Sequence, residues 1–288
     1  MTNTHATTPC GAQAAWPRRS APGADQLRSF LHCGAVFAWT EDRWIIGWGK
    51  PEKSPRPRAD APSFYAPDFL LADPAPWLVY PEVAAVSPDG LAQQMSGGGA
   101  RREWRAFDES AFASAFERAK DAFRHGELRK AVPAVFEVGD GPLDASGRAG
   151  ALRALANLPS GLMPHGCWDG SGGLLGASPE LLFENDGGEV RTMAVAGTAR
   201  AGAAPDEILD DPKELAEHRF VLEDIEAQLA PLGRVARGET RLWRIGILSH
   251  LRTDLRLEPN EPVAFGDLVA RLHPTPAVGV SPRDGWRE

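Results

Sequence analysis

Cysteine is scarce in this sequence: three residues in 288, at Cys10, Cys33 and Cys167. The number is odd and no CxxC or other metal-ligand spacing occurs, so neither a disulfide framework nor a cysteine metal site is expected, and a reducing compartment is. No apolar run approaches the roughly 18 residues of a membrane helix. The N-terminus has no continuous hydrophobic stretch of the kind a secretory signal carries. Positive charge is also short, with a formal net charge of −8. No basic stripe offers itself to nucleic acid, and an anionic membrane surface is equally unsuited as a partner. No internal repeat is visible. These absences leave a cytoplasmic globular protein, and its 43% hydrophobic and 24% charged residues are ordinary for one.

What is present is organised in blocks. Residues 1–25 are rich in Ala, Thr, Pro and Gly and predict a disordered tail; residues 26–288 are expected to form a single domain. "GAVFAWTEDRWIIGWG" reads as two strands about a polar turn at Thr40–Arg43. Residues 50–63 read as a Pro-rich charged loop and residues 93–101 as a flexible one. "DESAFASAFERAKDAFRHG" is the clearest helix. Asp108 suits its N-cap, Gly126 its end, and Phe112, Phe116, Ala119 and Phe123 make one apolar stripe. "ELRKAVPAVFEV" follows as a strand, with Pro133 placing it at an edge or a bulge. "GGLLGASPELLFENDGGEVRTMAVAGTAR" reads as strand, sharp turn, strand, hairpin at Asp186-Gly187, and strand. Asp211-Pro212 opens a second helix, with Leu215, Leu222, Ile225 and Leu229 as its buried stripe. "TRLWRIGILSHLRTDLRL" reads as strand. Clustered strands with a few long helices predict an α+β fold with large, mostly antiparallel sheets flanked by helices.

Four stretches can carry chemistry. Strand alternation puts Lys130 on a face with Val132, Ala134, Phe136 and Val138, where a lysine either snorkels outward or is held in a pocket. The turn Gly176-Ala177-Ser178-Pro179-Glu180 presents one carboxylate, either solvated or placed as a general acid. In "DPKELAEHRFVLEDI", Glu214, Glu217 and His218 share a helix face with Val221. Two carboxylates there make either a solvated acidic face or half of an oxygen site suited to Mg²⁺. "HLRT" and "LHPTPAVG" hold His250 and His273, flanked by structured loops, where they could contact an anion; His273 could equally be a packed loop histidine.

"GASPELLF", "AVAGTAR", "DPKELAEHRFVLEDI", "SHLRT" and "LHPTPAVG" occur in that order. Together they resemble the chorismate-utilising enzymes: anthranilate, aminodeoxychorismate, isochorismate and salicylate synthases. The likeness covers roughly Gly126 to Arg283. Lys130 in "RKAV" and Ala277 in "PTPA" resemble the members that add water rather than ammonia. The resemblance therefore implies an isomerase of the isochorismate synthase type, in menaquinone or siderophore biosynthesis, with salicylate synthase as the next alternative and a non-catalytic chorismate-fold binding protein as the alternative of another class. It implies chorismate as substrate and Mg²⁺ as cofactor. Lys130 would be the general base, Glu180 the general acid and His250 a neighbour of the ring. Ala196, Gly197 and Thr198, with Thr275 and Ala277, would line the pocket, and Glu217, with Glu214, would hold the metal. In relatives the fold continues past the "HPTPA" loop. The resemblance thus implies that an arginine, a tyrosine, a glycine-rich strand and a further metal-binding glutamate lie outside these 288 residues, and that the domain is incomplete at its C-terminal side.

Overall fold

The structure, a computed structural model, describes residues 5–7, 22–97, 103–105, 109–139, 141, 143–200 and 208–283. Most of the expected tail, the Asp108 cap and part of the 93–101 loop lie outside the described residues. Within the tail, His5–Thr7 pairs as a short strand with Ser63–Tyr65; within the loop, Gln93 and Gln94 close the helix Pro88–Gln94. The chain divides into two compact units, Met1–Glu103 with Gly139–Pro179, and Trp104–Val138 with Glu180–Glu288.

The first unit is built on a five-stranded antiparallel sheet. Its order is Gly173–Ser178, Met163–Trp168, Gly34–Thr40, Arg43–Trp48, Glu82–Val86. The central pair is the expected hairpin about Thr40–Arg43: Val36, Ala38, Trp44 and Ile46 point one way into a core with Phe30, Leu91 and Leu152. Ala35 and Ile45 point the other way, onto Phe64 and Tyr80. Burial on both faces explains why these strands read as nearly continuous apolar runs rather than a clean alternation. The Trp168 indole N–H donates to the Phe30 carbonyl at 2.9 Å, which satisfies the buried polar end of that ring.

The second unit is built on the sheet Glu184–Asn185, Val190–Arg200, Leu248–Pro259, Gly233–Arg237, with Arg241–Ile245 also pairing with Leu248–Pro259. The stretch 240–257 is therefore two strands rather than one. Gly246, at φ 55, turns the chain between them, and a left-handed residue is what a tight hairpin turn requires. Leu251, Leu255 and Leu257 alternate inward and are fully buried. The helix Pro212–Leu229 packs on this sheet through Val221, Leu222, Ile225 and Leu229. Its start is as expected: Pro212 sits at N1 and Asp211 accepts from the N–H groups of Lys213 and Glu214. Leu215 is a correction, because it is exposed and His218 is buried in its place. Leu215 shares its side of the helix with Leu222 and Leu229, seven and fourteen residues on, but it lies at the start of the helix, before the buried face begins at His218.

A second correction concerns residues 127–138. Pairing is confined to the two ends: Lys130–Ala131 against Val280–Ser281, and Val138, which begins a strand paired with Trp104–Arg105. Pro133 has no N–H to extend the ladder, and Val132, Val135, Phe136 and Val138 are exposed. The helix Glu109–Arg124 buries none of its described residues; Phe112 and Phe116 stack on each other at 6.1 Å instead.

Phe136 at 82% and Ile247 at 74% exposure, with Trp104 and Val138, leave this unit unusually apolar outside. The 288-residue chain is expected to bind an apolar dye and to show concentration-dependent association in light scattering, with Phe136→Ser reducing both. A monodisperse monomer that takes up no dye would contradict this. No helix among the described residues is long and apolar enough to cross a membrane.

Candidate active site

Lys130, Glu180, Glu214, Glu217, Thr198 and His250 all belong to the second unit. Lys130 begins its two-residue strand opposite Ser281, and it does not snorkel. The side chain is 8% exposed, its ammonium donates to the Pro276 carbonyl at 2.7 Å, and it lies 3.3 Å from Glu217 Oε1. The strand face expected to hold it is absent; the loop after His273 and the Pro212–Leu229 helix hold it instead. Pro276 acts through a backbone oxygen, which no side-chain pattern reveals.

Glu180 follows Pro179, as the tight turn required, and is half-buried rather than solvated. Loss of hydration pushes its carboxyl up to about 7, against the opposing charge of Lys130. A carboxyl in that range is poised to donate a proton near neutral pH. Lys130 and Glu180 thus make an amine and a carboxyl within electrostatic reach of each other, each supported from a different stretch of chain.

One helical turn before Glu217, Glu214 organises a second cluster. Its Oε2 accepts the Thr198 N–H at 2.9 Å, and Lys213 donates to its Oε1. Thr198 Oγ1 lies 3.0 Å from His250 Nδ1. Burial pushes the His250 imidazole down in pKa, opposed by the Gly197 backbone, so the ring is neutral at pH 7. The geometry depends on Gly197. The ladder between Val190–Arg200 and Leu248–Pro259 shifts register between Ala196 and Thr198, and Gly197 fills the bulge at φ 78. A Cβ there would sit 3.2 Å from both the Glu214 carbonyl and the Leu251 side chain. Ala196 is buried beside the bulge.

Thr275 is buried, and its carbonyl accepts from Val278 to close the loop that carries Ala277. His218, adjacent to Glu217, is 3% exposed, with Nε2 2.7 Å from Thr253 Oγ1. It faces the sheet and belongs to the core. The structure therefore brings the expected residues together as two groups, Lys130 with Glu180 and Glu217, and Thr198 with His250 and Glu214, joined through one turn of helix.

Among the described residues no set of three or more His, Cys, Asp or Glu side chains is arranged to hold a metal. Glu214 and Glu217 are two hard oxygen donors one turn apart. That set fits Mg²⁺, which is commonly bound by one or two carboxylates while keeping waters and substrate oxygens.

A family model described as "Chorismate binding enzyme" matches residues 92–285. The chain is 40% identical over 129 residues to the Salicylate biosynthesis isochorismate synthase of Pseudomonas aeruginosa, covering 41% of this chain and 26% of that protein. It is 34% identical over 119 residues to Isochorismate synthase MenF of Bacillus subtilis, covering 38% and 25%. These alignments span about a quarter of each curated relative. The structure of MenF, the menaquinone-specific isochorismate synthase from Escherichia coli, shares the fold at a TM-score of 0.73 and 19% identity, over 99% of this chain and 77% of that one. With well over half of its length matched by the family model, the chain belongs to the chorismate-binding enzymes; it is similar to isochorismate synthases and also, at 32% identity over 72% of this chain and 44% of that one, to Anthranilate synthase component 1 1 of Halobacterium salinarum.

Proposed function

We propose that this chain carries the catalytic groups of a Mg²⁺-dependent isochorismate synthase. The observation that carries the proposal is a buried, doubly held Lys130 whose charge acts on a Glu180 carboxyl raised to about 7. In the proposed reaction, water adds at C2 of chorismate while the C4 hydroxyl departs and the ring double bonds shift. Lys130, in its neutral amine form, takes the proton of the attacking water, and Glu180 gives its proton to the leaving hydroxyl, so one water enters and one leaves. Glu217 keeps Lys130 oriented toward the substrate. Thr198 and His250 form a neutral wall against the ring, and the loop through Thr275 and Ala277 excludes bulk water. Mg²⁺, when held by Glu217 and Glu214, would offset the charge of a substrate carboxylate.

The test is chromatography of products after this chain is incubated with chorismate and Mg²⁺, with a chelator control. Isochorismate that disappears with chelator is the expected result. Salicylate in the same chromatogram would move the reading to a salicylate synthase, and unchanged chorismate would overturn it.

A further inference from the structure

The ladder that presents Lys130 is too small to hold itself. Lys130–Ala131 and Val280–Ser281 form a two-stranded sheet with no third strand among the described residues, and isolated pairs of this size are marginal in water. Yet Lys130 depends on this ladder twice. Its backbone lies opposite Ser281, with the Arg129 N–H bonded to the Ser281 carbonyl at 2.6 Å, and its ammonium is bonded to Pro276, five residues before Ser281.

One face of the Pro212–Leu229 helix supplies the missing support. Glu217, Phe220 and Asp224 are spaced i, i+3, i+7 and so line one side. Glu217 pairs with Lys130. Phe220 lies under the Arg129 guanidinium, at 4.8 Å from its ring centre. Asp224 takes both arms of Arg283, with Nε at 3.2 Å from Oδ1 and Nη2 on Oδ2. The Asp224–Arg283 pair is the most enclosed of the three, at 14% and 16% side-chain exposure, and its fork geometry fixes orientation as well as distance. The remaining Arg283 Nη1 is buried with no partner among the described residues, an arrangement that stability alone would not favour.

We infer that Asp224 and Arg283 are positioning residues for Lys130. They clamp the strand after the Thr275–Gly279 loop to the helix that carries Glu217, and thereby set the Lys130 amine between Pro276 and Glu217. This inference rests on the proposed role of Lys130 only for its consequence in turnover; the clamp itself is testable without catalysis.

The experiment follows amine acylation of the intact chain by peptide mass spectrometry. There are five lysines, so Lys130 is read against Lys50, Lys53, Lys120 and Lys213. Asp224→Asn and Arg283→Gln are each expected to speed labelling of Lys130 by about tenfold or more through local opening, with the other four rates and the cooperative melt retained. Arg283→Lys, which keeps the charge and loses the fork, is expected to label faster than the parent but slower than Arg283→Gln. If the two stronger variants do not fold, Arg283→Lys alone decides. Unchanged Lys130 labelling in every folded variant overturns the inference. Where the parent chain turns over chorismate, the same variants are expected to lose kcat with KM held within about twofold. A parent chain that makes no isochorismate but shows the labelling pattern removes the proposed function and leaves the clamp standing.

Discussion

Replacing Glu180 with glutamine is expected to lower isochorismate formation by about 10²–10⁴-fold, the usual contribution of one positioned proton donor, while chorismate binding stays measurable. Glutamine matches the carboxyl in size and in hydrogen-bonding capacity but cannot release a proton to the departing hydroxyl. The pH dependence gives an independent check. Glu180 donates only when protonated, and its carboxyl is held at about 7 by lost hydration. Activity limited by this group is expected to persist below that value and to fall as pH rises through it. The high-pH limb is expected to be absent from whatever residual rate Glu180→Gln shows. A variant with parental turnover would refute the acid role.

The same raised pKa has a consequence for stability. The folded chain binds this proton more tightly than the unfolded chain, in which the group has its ordinary value of 4.5. Its contribution to stability is complete below about 4.5 and is lost as pH rises toward 7, at about 1.4 kcal/mol per unit of difference. Above pH 7 the parent carries a poorly hydrated carboxylate that the glutamine variant does not. Glu180→Gln is therefore expected to melt higher than the parent at pH 8 and to lose that advantage at pH 4. Equal melting temperatures at pH 8 would show that the carboxylate is well hydrated after all.

Removal of the Lys130 amine is expected to have an effect of similar size by a different route. Lys130→Met keeps most of the buried stem and removes the charge, so it separates chemistry from packing. Its turnover is expected to fall by about 10²–10⁴-fold. Stability also suffers, because the Pro276 carbonyl loses its donor and Glu217 loses its cation. Leaving one partner of an enclosed ion pair alone is destabilising by about 3–5 kcal/mol when both are buried. Glu217 is 34% exposed and can rehydrate, so a loss well below that range is expected. Lys130→Ala adds a cavity and is expected to melt lower than Lys130→Met with no further loss of rate. Turnover in Lys130→Met above about a tenth of the parent would remove Lys130 from the proton-transfer role.

The parts of the fold that were legible have causes within a few residues of chain. The Gly34–Trp48 hairpin declares itself through β-branched and aromatic residues on both sides of a polar turn. The Pro212–Leu229 helix declares its start because Asp211 and Pro212 satisfy its first N–H groups locally. Where a reading failed, a distant partner made the decision. Residues 130–138 have strand composition, but composition cannot say that only the two ends, Lys130–Ala131 and Val138, find strands to pair with, and the unpaired apolar residues between them become surface. Leu215 has a core residue's chemistry and spacing, but it lies at the start of its helix, before the buried face begins at His218.

The site divides in the same way. Order and identity of residues were enough to name Lys130, Glu180, Glu214, Glu217, Thr198 and His250 as a set, because reactive side chains are written in the sequence. Their environments were not. The Glu180 carboxyl is raised to about 7 by the protein packed around it, and Lys130 leaves solvent through a carbonyl 146 positions away. Nor could order alone show that Glu214 spends one oxygen on the Thr198 backbone or that Asp224 and Arg283 brace the Lys130 strand. By itself the sequence determined the α+β class, the family likeness and the inventory of reactive groups, all of which depend on residue type and near spacing. Only the tertiary structure decided hydration, charge state and orientation at the site, because these are set by atoms far along the chain that meet only when it folds.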